Sequence, residues 1–356
     1  MTAAVSNQRL NSLTGVRFFA AFLVLGFHAV HYGSGNEFAV FASGMSGVSL
    51  FYLLSGFVMS WTAREGGSVR NFYARRFARI YPAYIVVWAG SLIALGLVGS
   101  VTILDVLAPP SLLQAWVPLE SVYFAGSAVF WSLSCEVFFY LIFPFLYRGL
   151  KRCGDAKLVL IVVAAAATSI AVSFVIFIVG ESDLARWLLV IFPPIRFLEF
   201  LVGAALGLLF RRGRRVNVSV TLAVLLSTSA VVVASWAPFA FSRYAVTIVP
   251  FALLICSLAS SDLSGRRGML SSRPLVALGN WSYCFYLVHI FVVAAVFAVV
   301  GSANRVLAVD DLIASWVAFF LALSLTVACS WGLHTVVERP MERLLREKLT
   351  VARAVA

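Results

Sequence analysis

KLVLIVVAAAATSIAVSFVIFIV, residues 157–179, carries one charge, Lys157, and then runs to its end without another. A helix that crosses the hydrocarbon core of a bilayer needs about 20 predominantly apolar residues. This stretch has that length. Nine others resemble it, so the spacing predicts spans near 13–33, 44–62, 79–99, 128–147, 157–179, 187–210, 217–236, 243–260, 275–299 and 312–335. The expected fold class is therefore all-α, a polytopic membrane bundle of about ten transmembrane helices. Composition agrees: 62% of the 356 residues are hydrophobic and 12% are charged. A soluble domain has about a quarter charged residues, so lipid has to serve as the solvent for this surface. The stretch 101–127 is apolar but is broken by Pro109, Pro110 and Pro118, and reads as an outer loop or re-entrant segment.

The formal net charge is +12. Its distribution fixes orientation. With the N-terminus in the cytoplasm, the inner segments hold 23 Lys and Arg. The outer loops hold three (Arg186, Arg243 and Arg305), and Arg196 lies within a span. Basic residues concentrate on the cytoplasmic side, so both termini are expected there. No groove-reading motif accompanies the charge, which excludes nucleic acid as a partner. The first apolar run reads as a signal anchor and not as a cleaved leader, because a long polar gap precedes the loose site at Val40-Phe41-Ala42. One domain is expected over 1–356, with a short charged cytoplasmic tail at 339–356 and no extra C-terminal hydrolase-like domain. Cys135, Cys153, Cys256, Cys284 and Cys329 are odd in number and show no C-x-x-C spacing, which suggests buried thiols and no disulfide framework. Cys135 adjoins an intramembrane glutamate, but neighbouring helix positions point about 100° apart.

Ionisable side chains within a bilayer are costly, and each one needs a reason. Arg17 and His28 are eleven residues apart on the first helix. That is about three turns, so they share a face roughly 16 Å apart. An anionic donor held by the arginine at the cytoplasmic mouth would present its far end to the imidazole. A snorkelling arginine and a helix-bonded histidine would look the same in sequence. His31, one turn on, reads as interfacial. Ser132, Glu136 and Tyr140 form a polar stripe on the fourth span, where a carboxylate can orient a histidine, act as a base or lock helix packing. Arg196 and Glu199 follow Pro193-Pro194, and their simplest reading is a mutual ion pair beside a kink. Ser282, Tyr286 and His289 share a face of the ninth span, either lining a site or bonding within the core. Arg70, Arg75, Arg76 and Arg79 form a basic run ahead of Tyr81-Pro82, suited to phosphate. Arg211, Arg212, Arg214 and Arg215 read as topology determinants. The histidines are scattered over three helices without ligand spacing, so no metal is expected.

Several of these motifs together resemble the acyltransferase-3 family. They are Leu13-Thr14-Gly15-Val16-Arg17 leading to His28, Gly47-Val48-Ser49-Leu50-Phe51-Tyr52-Leu53-Leu54-Ser55-Gly56-Phe57, and Arg75-Arg76-Phe77-Ala78-Arg79-Ile80-Tyr81-Pro82. They continue with Trp131-Ser132-Leu133-Ser134-Cys135-Glu136, Gly279-Asn280-Trp281-Ser282-Tyr283 on to Tyr286-Leu287-Val288-His289, and Glu338-Arg339-Pro340. They occur in order from about 10 to 345. Tyr52 and Cys135 depart from the family pattern without removing a polar group. The resemblance implies an O-acyltransferase in the bacterial cytoplasmic membrane. The donor would be acyl-CoA, acetyl-CoA above all, and the acceptor a hydroxyl of a glycan or glycosylated small molecule. Arg17, Arg76 and Arg79 would hold the donor's phosphates. His28 would be the general base or a transient acyl carrier, with Glu136 orienting it. Ser55, Tyr286 and His289 would line the acceptor pocket. Two rivals fit the helices: a transporter using His28 and Glu136 as a proton relay, and an intramembrane protease built on Ser55-Gly56.

Overall fold

The computed structural model describes residues 9–33, 37–63, 66–307 and 309–350. Among these the regular structure is entirely helical. The main helices are α1 (Asn11–Val30), α2 (Ser46–Trp61), α3 (Val69–Leu97), α4 (Trp131–Arg152), α5 (Asp155–Val179), α6 (Pro193–Arg211), α7 (Val220–Trp236), α8 (Ile248–Leu263), α9 (Arg273–Leu307), α10 (Asp311–Leu333) and α11 (Arg339–Thr350). Eight helical stretches are long and apolar enough to cross a bilayer, and α7 and α8 are shorter apolar helices. All ten expected spans are therefore helices. The prolines act as read: Pro193 opens α6 after an extended Phe192, and a π-turn, Trp187–Ile191, precedes the break.

One boundary moves substantially. The third span was expected to start at residue 79, and α3 starts at Val69. Hydropathy sees only the lipid-facing length. The helix continues ten residues beyond it because α11 packs along α3. The basic run is thereby helical from Arg70 to Arg79.

The chain divides into two compact units, Met1–Ala63 with Phe145–Ser282, and Arg64–Pro144 with Tyr283–Ala356. In the first, α2 and α6 approach through glycine. A Cβ placed on Gly203 would lie 2.0 Å from the Leu53 carbonyl oxygen, one on Gly207 2.3 Å from that of Phe57, and one on Gly56 2.0 Å from that of Phe200. Helices in lipid associate through such close backbone contact, because no apolar driving force separates them from the tails. The start of α1 is held from α8. The Asp262 carboxylate accepts the Ser12 amide at 2.8 Å and the Ser12 hydroxyl at 2.6 Å. Asp262→Ala leaves a buried helix N-terminus without its cap, which costs about 1–2 kcal/mol. The expected result is a melting temperature lowered by several degrees in detergent, with Asp262→Asn between the two.

In the second unit, the proline-broken stretch is ordered. Ile103–Ser111 is a short helix whose start is a capping box of Thr102 and Asp105. The Asp105 carboxylate also accepts the Gly126 amide at 2.6 Å, and Tyr84 donates its hydroxyl to the Pro109 carbonyl at 2.8 Å. Partial burial pushes the Asp105 carboxyl up, but hydrogen bonds from the Thr102 hydroxyl and the Gly126 and Thr102 amides hold it below the ordinary carboxylate value. A depressed folded pKa adds stability in full above the unfolded value and loses it as pH falls through the folded one. Asp105→Asn is thus expected to lower the melting temperature at pH 7, by a margin that shrinks as the buffer is acidified below the carboxylate range.

Candidate active site

The first unit carries Arg17, His28 and Ser55. Arg17 and His28 lie on one unbroken helix, α1, and both are half-buried. The His28 ring packs edge-on to Phe27, centroids 5.3 Å apart, and lies 6.4 Å from that of His31. His31 is exposed, with Nδ1 3.1 Å from the Phe27 carbonyl oxygen. It stands just past the end of α1. Ser55 is half-buried on α2.

The same unit holds a polar knot that extends the expected ion pair. Arg196 and Glu199 are buried and paired at 3.0 Å. Arg196 also donates to the Ser49 hydroxyl at 3.0 Å, and its guanidinium lies between the rings of Tyr52 and Tyr244, 5.3 and 4.9 Å from their centroids. A buried pair needs its remaining N–H groups and lone pairs engaged; here two aromatic faces and a hydroxyl do part of that, while Arg196 Nε and, the ion pair apart, the Glu199 oxygens have no hydrogen-bond partner. The Tyr52 departure from the family pattern thus falls on a residue that touches Arg196.

The second unit carries Arg76, Arg79, Glu136, Tyr286 and His289. Tyr140 donates a short hydrogen bond to the Glu136 carboxylate one turn away. The Arg76 guanidinium lies over the rings of Phe72 and Tyr140, 5.6 and 5.2 Å from their centroids. Glu136 faces Arg76 and Arg79 electrostatically, and Glu338 and Glu342 face Arg79 as well. Within this unit the carboxylate therefore belongs to an arginine–tyrosine cluster between the first half of α3 and the first half of α4. A groove of ≈ 200 Å³ runs beside it, lined by Tyr73, Arg76, Phe77, Tyr81, Val137 and Tyr140 among others. Tyr283 donates its hydroxyl to the Ile80 carbonyl at 2.8 Å, fixing α3 one residue after Arg79.

Tyr286 and His289 are tied into the helices. The Ser132 hydroxyl lies 2.8 Å from the Tyr286 hydroxyl. His289 is fully buried with Nδ1 2.7 Å from the Tyr286 carbonyl oxygen. Ser282, on the same stripe, donates to the Gly279 carbonyl of its own helix at 2.8 Å. Sequence spacing missed one convergence. Cys284 Sγ and His334 Nδ1 both meet Glu338 Oε2, at 3.1 and 2.7 Å, where His334–Glu338 forms a π-turn. Their ligand atoms lie within 4.8 Å of one another, so this is where the described residues offer a divalent cation three donors. The hydrogen bonds already engage all three, and a cation there would face the α3 arginines.

The profile of a family described as an acyltransferase domain matches residues 10–335, nearly the whole helical chain. The chain belongs to the acyltransferase-3 family. Acyltransferase MdmB of Streptomyces mycarofaciens is 36% identical over 97% of this chain and 95% of its own. The exopolysaccharide production protein ExoZ of Rhizobium meliloti is 30% identical over 76% of this chain and 82% of its own. The peptidoglycan O-acetyltransferase OatA of Listeria monocytogenes is 25% identical over 81% of this chain and 50% of its own. No solved structure matches. Membership makes this acyltransferase-3 protein a membrane-embedded acyltransferase, and the transporter and protease readings give way to it.

Proposed function

We propose that the protein moves an acyl group, acetyl in the simplest case, from acyl-CoA to a hydroxyl of a glycan or glycosylated small molecule at the bacterial cytoplasmic membrane. The observation that carries this reading is the pairing of Arg17 with His28 on one unbroken helix within a family of acyltransferases. Coenzyme A is long, and its phosphates cannot leave water. Arg17, Arg76 and Arg79 are assigned to those phosphates, since guanidinium groups meet phosphate oxygens through paired N–H bonds. The groove of ≈ 200 Å³ beside Arg76 and Tyr140 is assigned to the pantetheine arm.

His28 is assigned the proton transfer. As the acceptor oxygen attacks the thioester carbon, the imidazole takes the hydroxyl proton. The tetrahedral intermediate then expels the CoA thiolate, which recovers that proton from the imidazolium. Glu136 is assigned, within its own unit, to offset Arg76 and Arg79 while holding the Tyr140 hydroxyl. Ser55, Tyr286 and His289 are assigned to the walls of the acceptor pocket. The names of OatA and ExoZ connect two relatives with peptidoglycan and exopolysaccharide, which favours a glycan acceptor.

The test uses membranes containing the protein, radiolabelled acetyl-CoA and a panel of cell-wall fragments, exopolysaccharides and glycosylated macrolides. Label is expected in at least one acceptor, as an ester released by mild base. Label confined to free acetate, with no ester anywhere in the panel, would count against this acceptor class.

A further inference from the structure

Three arginines remain outside once orientation is assigned by charge, namely Arg186, Arg243 and Arg305. Two of them converge. The ring of Phe239 lies under both the Arg243 and the Arg186 guanidinium groups, at 4.7 and 5.6 Å from its centroid. Arg243 also covers Phe27 at 5.4 Å, and Phe27 is the residue next to His28 on α1. The Phe27 ring in turn touches those of His28 and His31, at 5.3 and 5.1 Å. All of these residues belong to one compact unit.

The charges do not cancel. Arg186 pairs with Glu181 at 3.2 Å, and Arg196 with Glu199 at 3.0 Å. No ion pair joins Arg243 among the described residues, and its Nε and Nη1 are buried without a hydrogen-bond partner. Its hydrogen bonding among the described residues is confined to the backbone, where the carbonyl accepts the Ser49 hydroxyl at 3.5 Å, and Glu181 is the acid that faces its charge without reaching ion-pair distance. The aromatic rings stabilise the faces of the guanidinium. They leave its N–H edges, whose five donors have no acceptor function of their own. Arg243 as a residue is half-buried, but buried N–H groups of this kind are costly unless something supplies oxygen to them. Carboxylate and phosphate oxygens match guanidinium N–H groups best.

We propose that Arg243 anchors an acceptor subsite for an anionic group, a carboxylate or a phosphate carried by the hydroxyl-bearing acceptor. The inference rests on reading His28 as the base, since Arg243 meets the turn of α1 that carries it. It narrows the acceptor class from any sugar hydroxyl to acidic or phosphorylated sugars. The Phe239 and Phe27 rings flank the guanidinium, and Arg186, a like charge on the same Phe239 ring, adds to the positive potential there.

The experiment is equilibrium binding of three probes to the purified full chain in detergent: D-glucuronate, D-glucose 6-phosphate and D-glucose. Wild type is expected to bind at least one anionic sugar tenfold or more tightly than glucose. The tighter anion tells carboxylate from phosphate. Arg243→Met is expected to abolish that preference, whereas Arg305→Met, which removes an outer arginine outside the cluster, keeps it. Should the methionine variant fail to fold, Arg243→Gln, which is shorter and uncharged but retains two N–H groups, replaces it, and the same loss is expected. Equal binding of all three sugars by wild type, or no binding, or an anion preference that survives at Arg243→Met or Arg243→Gln, overturns the proposal. Acetyl-CoA binding is read on the same wild-type sample. Glucuronate binding without acetyl-CoA binding would sink the donor reading and leave the anion subsite standing.

Discussion

His28→Ala is expected to slow acyl transfer by about a hundredfold or more while acyl-CoA binding stays within about threefold, the pattern of a lost general base. The helix makes the expectation specific. α1 runs without a break from Asn11 to Val30, its start tied to Asp262, so removing one imidazole near its far end leaves the Arg17 end in place. His31 is the built-in comparison. It lies one turn on, exposed, with Nδ1 directed at the Phe27 carbonyl. His31→Ala is expected to keep transfer within about threefold of wild type. Initial rates with radiolabelled acetyl-CoA, normalised to folded protein, decide the matter. Equal losses at both positions would mean that the end of α1 matters as packing and not as a base.

Gly203→Leu is expected to leave no folded, monodisperse protein. The obstruction is main chain: a Cβ at this position would lie 2.0 Å from the Leu53 carbonyl oxygen and 2.8 Å from its carbon. Backbone cannot rotate aside as a flexible side chain does, so α2 and α6 must separate. Overpacking of ordinary cores costs about 1–3 kcal/mol, and here a whole helix pair loses contact. Separation would also part Ser49 on α2 from Arg196 on α6, now 3.0 Å apart. Gly203→Ala carries the same Cβ and is expected to melt well below wild type, whereas Gly149→Ala, which meets nothing within 4 Å, should melt close to it. Fluorescence-detected size exclusion and a thermal ramp give the readout. A Gly203→Ala protein as stable as wild type would show that the α2–α6 approach is looser than described.

The spans, the Arg17–His28 helix face and the Arg196–Glu199 pair could all be read along the chain, because each depends on spacing within one helix. What could not be read depends on what another segment brings. The Arg76–Tyr140 stacking needs α3 to begin at Val69, and that start is set by α11 packing alongside, from more than 250 residues later. Cys284 meets Glu338 from a helix 54 residues away, and no spacing along the chain announces that contact. Arg243 counted as one outer-loop charge among three. Its contact with Phe27 crosses more than 200 residues and leaves no periodic signal. Glu136 was read as a histidine's partner. The structure adds a nearer role beside Tyr140 and the α3 arginines.

The central claim is that a cytoplasmic arginine set holds an acyl-CoA donor, and direct binding of acetyl-CoA to the purified protein tests it most directly. Titrations compare wild type with Arg17→Ala, Arg76→Ala and Arg79→Ala, each checked for folding by its thermal transition. Saturable binding by wild type is predicted, weakened about tenfold or more by each substitution, as befits loss of a charge-assisted contact to phosphate. Undetectable binding by wild type, or binding that all three folded variants retain unchanged, would contradict the account.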